Sequence, residues 1–242
     1  RGGRTGPPLL YAQRSGHTQP EWQALLYKRY VRPAELNSMN SYEVYQQLLN
    51  HYGPQGWWPL LQRRSRPGYN EEGYHPGIYA LELQPSEQFE IITGAILTQN
   101  TSWTNVRRSL GSLLEAAVRR DQAFGPEYVL QLQVDELAEL IRSSGYFNQK
   151  AKKLRYMAEF YCTGVNGAGP DRSQLLGLWG IGPETADSIL LYAYNRPVCV
   201  VDAYSMRICG RVEGRDLNAQ WGYDELQAKF HRQLRADPQV YN

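Results

Sequence analysis

A glycine hairpin, an acid just beyond it and a pair of adjacent tryptophans are the residues here whose types and spacing could do chemistry. The run Leu178-Trp179-Gly180-Ile181-Gly182-Pro183-Glu184-Thr185-Ala186-Asp187 reads as a tight turn opening directly onto a helix. Gly180 and Gly182 can take positive φ without steric cost, and Pro183 suits a first helical position, where a missing N–H is harmless. Exposed amides at such a turn, together with the positive end of a helix, suit an anion, most simply a phosphate. Val198-Cys199-Val200-Val201 then leads to Asp202, an acid that is also a favoured cap for the helix that follows. Trp57-Trp58-Pro59 sits in a Gly/Pro-rich loop, where two adjacent tryptophans cannot easily both be core. That favours a pocket.

Helices must position these groups. Ala186, Ile189, Leu190, Ala193 and Tyr194 recur at helical spacing after the hairpin. Upstream, a helix is expected over 21–30, and a second after Asn40-Ser41, with Val44, Leu48 and Leu49 as its stripe and Gly53-Pro54 as its end. Residues 56–86 form a long irregular stretch rich in Gly, Pro, Trp and Tyr, and loops of that length are usually functional or mobile. Phe89, Ile92, Ile96 and Leu97 predict an apolar helix ending at 98–101, with Thr101 or Ser102 capping the next, through Val106, Leu110, Leu113 and Leu114. Further helices are expected over 134–143, 149–161 and 223–234, with another through Met206 and Ile208. Ser173 is the expected cap of the helix leading into the hairpin. No strand is required anywhere.

At 242 residues, with 42% hydrophobic and 21% charged residues, the chain reads as globular. A net charge of +2 names no partner, but basic clusters such as Lys150-Lys152-Lys153-Arg155 could meet a polyanion or simply be solvated. Cys162, Cys199 and Cys209 are widely spaced, which argues against a disulfide framework and a zinc site and favours a reducing compartment. No apolar run approaches the roughly 20 residues a membrane helix needs, and no signal peptide is visible, so an intracellular location is expected (the nucleoid, in a prokaryote).

The run LxGIGxETAxxIL, continuing to VVDAYSMRI, resembles the helix-hairpin-helix DNA glycosylases of the endonuclease III superfamily. The resemblance spans about 84–211 and is also carried by Gly94-Ala95-Ile96-Leu97-Thr98-Gln99-Asn100-Thr101 and by Gly145-Tyr146-Phe147-Asn148-Gln149-Lys150-Ala151. It implies an all-α fold of two helical subdomains with the active-site cleft between them. On that pattern, 1–20 is a flexible tail, and 21–85 with 203–242 is a discontinuous helical subdomain holding the aromatic loop. Residues 86–202 are then a helical-barrel subdomain holding the hairpin. Trp57-Trp58-Pro59 with Thr101-Ser102-Trp103 resembles the pocket of the endonuclease III-like 3-methyladenine glycosylases.

The resemblance also implies roles. Asp202 becomes the catalytic carboxylate, stabilising the positive charge that develops on the sugar as the N-glycosidic bond breaks. Trp57, Trp58, Pro59, Trp103 and Glu184 line the base pocket, Gln99 enters the gap left by a flipped nucleotide, and Gly180, Ile181, Gly182, Thr185 and Lys150 meet DNA. Endonuclease III itself has a lysine where this chain has Glu184; a carboxylate cannot form the Schiff base that precedes strand cleavage. The expected activity is therefore monofunctional excision of an alkylated, cationic purine such as 3-methyladenine or 7-methylguanine. Another lesion or mismatch on the same fold, or a non-cleaving DNA-binding module, are the alternatives. The expected partner is double-stranded DNA carrying a damaged base, bound by a monomer. Family members carry either four cluster-binding cysteines or a cluster-free substitute past the position of Asn242. None of the three cysteines here has that spacing, so no iron–sulfur cluster and no other cofactor is expected.

Overall fold

The computed structural model describes residues 40–78, 81–164, 169–212 and 221–241, and among them there are helices and no strands. The expected helix over 21–30 lies outside the described residues. Contacts divide the chain into two units: residues before 55 with 203–234, and residues 55–202 with 235–242. The aromatic loop 55–84 therefore groups with the hairpin, whereas the sequence pattern attached it to the other subdomain. The reason is packing: Trp58, Leu60 and Leu61 are buried in the same core as the helices of 85–193.

In the first unit, α1 (Ser41–Tyr52) starts as its sequence suggests. Asn40 Oδ1 accepts the Glu43 N–H, and Glu43 returns the contact to the Asn40 N–H at 2.9 Å, a reciprocal cap. Gly53, at φ +68, ends it. The Ser41 N–H donates to Gln233 Oε1 at 3.0 Å, tying α1 to the last helix of this unit.

The second unit is built around α2 (Pro85–Leu97), whose residues from Phe89 to Leu97 are all buried. A helix apolar on every side is a core helix. It packs against α3 (Trp103–Arg119), α6 (Phe147–Gly164) and the helix after the hairpin. The α3 stripe is Val106, Leu110, Leu113 and Ala117, each 1% exposed or less, at the spacing of one helical face. Two short helices, α4 (Pro126–Gln131) and α5 (Val134–Leu140), cover α6. Helix α4, six residues between loops, is too short to carry a distinct periodic signal in sequence.

Helix α7 (Arg172–Leu176) leads into the hairpin. Its cap is Asp171, not Ser173: Asp171 Oδ1 accepts the Gln174 N–H at 2.8 Å, and Gln174 Oε1 accepts the Asp171 N–H at 2.8 Å. A charged acceptor is the stronger cap, and Ser173 Oγ donates to the same carboxylate at 2.7 Å. After the hairpin comes α8 (Pro183–Ser188), which widens into a π-helical turn over Ile189–Ala193. Arg172 grips α8 by a two-point pair with Asp187, at 2.7 and 3.0 Å, and the Asp187 side chain is fully buried. Arg172→Ala removes that two-point pair from a buried carboxylate. Because Arg172 is itself partly exposed, the expected loss is about 2 kcal/mol rather than the larger cost of breaking a fully buried pair. Urea unfolding of the purified variant measures it, and an unchanged midpoint would refute the role.

Candidate active site

The hairpin turns on one glycine. Gly180 sits at φ +81, which disfavours any side chain there, and a Cβ would also displace the Lys153 stem, whose Cε would lie 2.4 Å away. Gly182 does not need positive φ: at φ −93 and ψ 177 it is the extended N-cap of α8, a conformation open to other residues. Ile181 is 6% exposed and belongs to the core. It anchors the turn from beneath, and its N–H donates to the Leu178 carbonyl at 3.2 Å.

Gln99, beyond the C-terminus of α2, is drawn into this hairpin. Its Nε2 donates to the Gly180 carbonyl and to Thr185 Oγ1, each at 3.0 Å, while its Oε1 accepts from Lys153 Nζ at 2.6 Å. The side chain assigned to enter DNA is thus held by three contacts in the unliganded protein, and entering a duplex requires their exchange. Thr185 is buried and serves that network.

Lys150 is corrected by the structure. It is 2% exposed, and its Nζ donates to the carbonyls of Leu97 at 2.8 Å and Ser144 at 2.7 Å. It satisfies chain-end carbonyls that would otherwise be unpaired and does not face a phosphate. Burial, then the neighbouring Lys153 charge, lowers its pKa to about 8. Lys152, two residues on, is the exposed member of that cluster.

The tryptophans do converge. The ring centroids of Trp57 and Trp103 are 5.0 Å apart, those of Trp58 and Trp103 5.4 Å and perpendicular, and Tyr74 lies 5.9 Å from Trp57. Their exposures differ: Trp58 and Pro59 are buried, whereas Trp57 and Trp103 are half-buried. Trp58 lies flat against α2, where a Cβ on Gly94 would stand 3.0 Å from its ring. Trp58 is therefore the floor under Trp57 and Trp103. The indole N–H groups of Trp58 and Trp103 are buried without a protein acceptor, leaving two donors inside the cluster. His75 is buried and fixes the loop: its ring nitrogens lie 2.9 Å from the carbonyls of Trp58 and Ile78. Glu90 on α2 holds the same loop by accepting the Leu61 and Gln62 amides at the start of the short 3-10 helix Leu61–Arg63.

Tyr192 joins this cluster to the acids. Its ring is 5.4 Å from Trp58. Burial, then the neighbouring Cys199 and Asp202, raises its pKa, so the phenol stays neutral. Sequence reasoning missed it because regular helical spacing singled out Tyr194 and skipped Tyr192. The π turn shifts the register there, and such turns are frequent at functional sites. Glu184, at the first turn of α8, keeps an exposed edge, yet surrounding protein and then the Asp202 carboxylate raise its pKa above the ordinary value. Tyr192 and the tryptophans are thus one ring cluster within the second unit, and Asp202 acts electrostatically on both Tyr192 and Glu184. The cysteines are exposed (Cys162), buried (Cys199) and half-buried (Cys209), and no set of three or more metal-ligating side chains gathers among the described residues. Three cysteines so placed do not fit a four-cysteine cluster.

The model described as HhH-GPD superfamily base excision DNA repair protein matches residues 93–235. The chain is 35% identical over 210 residues to a candidate DNA repair glycosylase of Methanocaldococcus jannaschii, covering 83% of this chain and 81% of that one. Among solved structures it is similar to the 3-methyladenine DNA glycosylase MagIII of H. pylori bound to 1,N6-ethenoadenine. The TM-score is 0.60 at 25% identity, over 84% of this chain and 92% of the other. A trapped covalent endonuclease III–DNA intermediate shares the fold, with a TM-score of 0.54 at 21% identity, over 66% of this chain and 70% of that one.

Proposed function

Because this chain is a DNA glycosylase that belongs to the HhH-GPD superfamily of base excision DNA repair proteins, we propose that it is a monofunctional enzyme for alkylated, cationic purines. The observation that carries this reading is the packed ring cluster of Trp57, Trp58, Trp103 and Tyr192, beside which Glu184 and Asp202 supply the acids. A purine alkylated at a ring nitrogen carries positive charge and leaves with little acid assistance. It is bound by electron-rich ring faces, worth about 0.5 to 2 kcal/mol each. Trp57 and Trp103, the half-buried pair, receive the flipped base; Trp58 and Tyr192 hold the floor. As the bond to the sugar breaks, the sugar becomes cationic, and Asp202 stabilises that charge and orients the attacking water. The bond that forms is between water oxygen and the sugar carbon, and the base departs with the electron pair of the broken bond. MagIII was solved with a modified adenine, which supports an alkylated-purine reading by similarity.

The monofunctional part rests on Glu184. Endonuclease III has been trapped as a covalent DNA intermediate, and a Schiff base of that kind requires an amine. Here a carboxylate stands at that place in the hairpin, Lys150 Nζ is committed to two carbonyls and Lys153 Nζ to Gln99. The partner that fits is double-stranded DNA with one damaged base, acted on by a monomer. With a duplex bearing a single 7-methylguanine, borohydride is expected to trap no covalent complex, and strand breaks are expected only after alkali. Trapped complex, or breaks without alkali, would overturn the monofunctional reading.

A further inference from the structure

Beside the hairpin, on the face of α6 that the pocket does not use, two large aromatic side chains are left in solvent. Trp179, within the hairpin, is 51% exposed, and Tyr156 on α6 is 53% exposed. Their rings meet edge to face, with centroids 5.9 Å apart and planes at 68°. Leu176, at the end of α7, is exposed close by in sequence. Lys152 and Lys153 lie four and three residues before Tyr156, so helical spacing sets them on the same side of α6. The Lys153 stem crosses Gly180, one residue from Trp179, which puts basic charge and aromatic surface side by side. An exposed pair of this size gains little for the fold, and contiguous apolar surface of this kind marks a contact site.

We infer that Trp179 and Tyr156 form an aromatic ledge that seats the sugar-phosphate backbone of duplex DNA next to the hairpin. The inference rests on the reading of the hairpin as the element that holds DNA. Continuity with that turn and the flanking lysines decide the occupant. The ring faces pack on deoxyribose, the indole N–H donates to a phosphate oxygen, and Lys152 supplies charge. This contact uses side chains, in addition to the amides of the hairpin, and it carries no sequence or lesion information.

The test is fluorescence anisotropy with the full chain and a labelled, undamaged duplex, at several salt concentrations. Trp179→Ala and Tyr156→Ala are each expected to weaken binding about five- to tenfold. The slope of affinity on salt should stay unchanged, because no ion is released by an apolar contact. Lys152→Ala should instead flatten that slope. Trp179→Phe, which keeps a ring but loses the donor, should fall between wild type and alanine, and it decides the matter if an alanine variant melts early. Affinities for Trp179→Ala and Tyr156→Ala equal to wild type at every salt concentration would overturn the ledge. Undamaged DNA reports binding without base release. A wild-type protein that frees no alkylated base would sink the proposed function and leave this inference standing.

Discussion

Asp202→Asn is expected to lower single-turnover base release roughly a thousandfold, with affinity for duplex DNA nearly unchanged. The substitution separates the two things an aspartate can do at this position. Asn caps a helix about as well as Asp, so a capping role at the start of the following helix (Ala203–Val212) would survive the change. What disappears is the negative charge that would face a cationic sugar. The loss should appear in the rate at saturating enzyme, since a group acting only in the transition state leaves ground-state binding alone. The same variant should also relax Glu184, whose raised pKa owes its second contribution to Asp202. A rate within a few-fold of wild type would assign Asp202 to capping alone.

Glu90 should make the fold weaken as pH rises through neutrality. It lies in the core of α2 and accepts the Leu61 N–H at 2.5 Å and the Gln62 N–H at 3.2 Å. Burial pushes its carboxyl up to about 7 from an ordinary 4.5, against the opposing pull of those amides. The folded chain therefore holds this proton more tightly than the unfolded one. The stability so contributed is complete below about pH 4.5 and is lost as pH rises through about 7. The interval corresponds to roughly 3 kcal/mol. Glu90→Gln cannot ionise and keeps one oxygen for the Leu61 N–H, though its amide nitrogen cannot accept the Gln62 N–H. Its unfolding midpoint in urea should match or fall slightly below wild type at pH 5 and exceed it at pH 8. Parallel wild-type and variant curves across that range would contradict the assignment. Since Glu90 holds the loop that carries Trp57 and Trp58, the same ionisation should loosen the aromatic cluster.

Local chemistry was legible where it is strongly patterned. Asn40 with Glu43, the apolar run of α2 and the turn at Gly180 each announce an element by capping, periodicity or backbone freedom, and the structure has each in place. The convergence of Trp57 with Trp103 was legible only through resemblance, because 45 residues separate them and no local rule links a loop to a helix start. Other features depended on the third dimension. Lys150 reads as part of a basic run, but its spacing on α6 matches the buried Ala151, Leu154 and Met157, and the carbonyls of Leu97 and Ser144 give its charge a place inside. Ser173 reads as the cap in sequence, and only the reciprocal contact of Asp171 with Gln174 shows that the acid takes that place. Tyr192 was invisible because a π turn breaks the very period by which helices are read.

The most direct measurement is the profile of free bases released when the purified protein is incubated with methylated genomic DNA. The account predicts that 3-methyladenine, 7-methylguanine or both are released, that alkali-labile abasic sites accumulate in step, and that Asp202→Asn abolishes both. No methylated purine released, or release of only an uncharged base, would contradict an aromatic pocket built for a cationic purine.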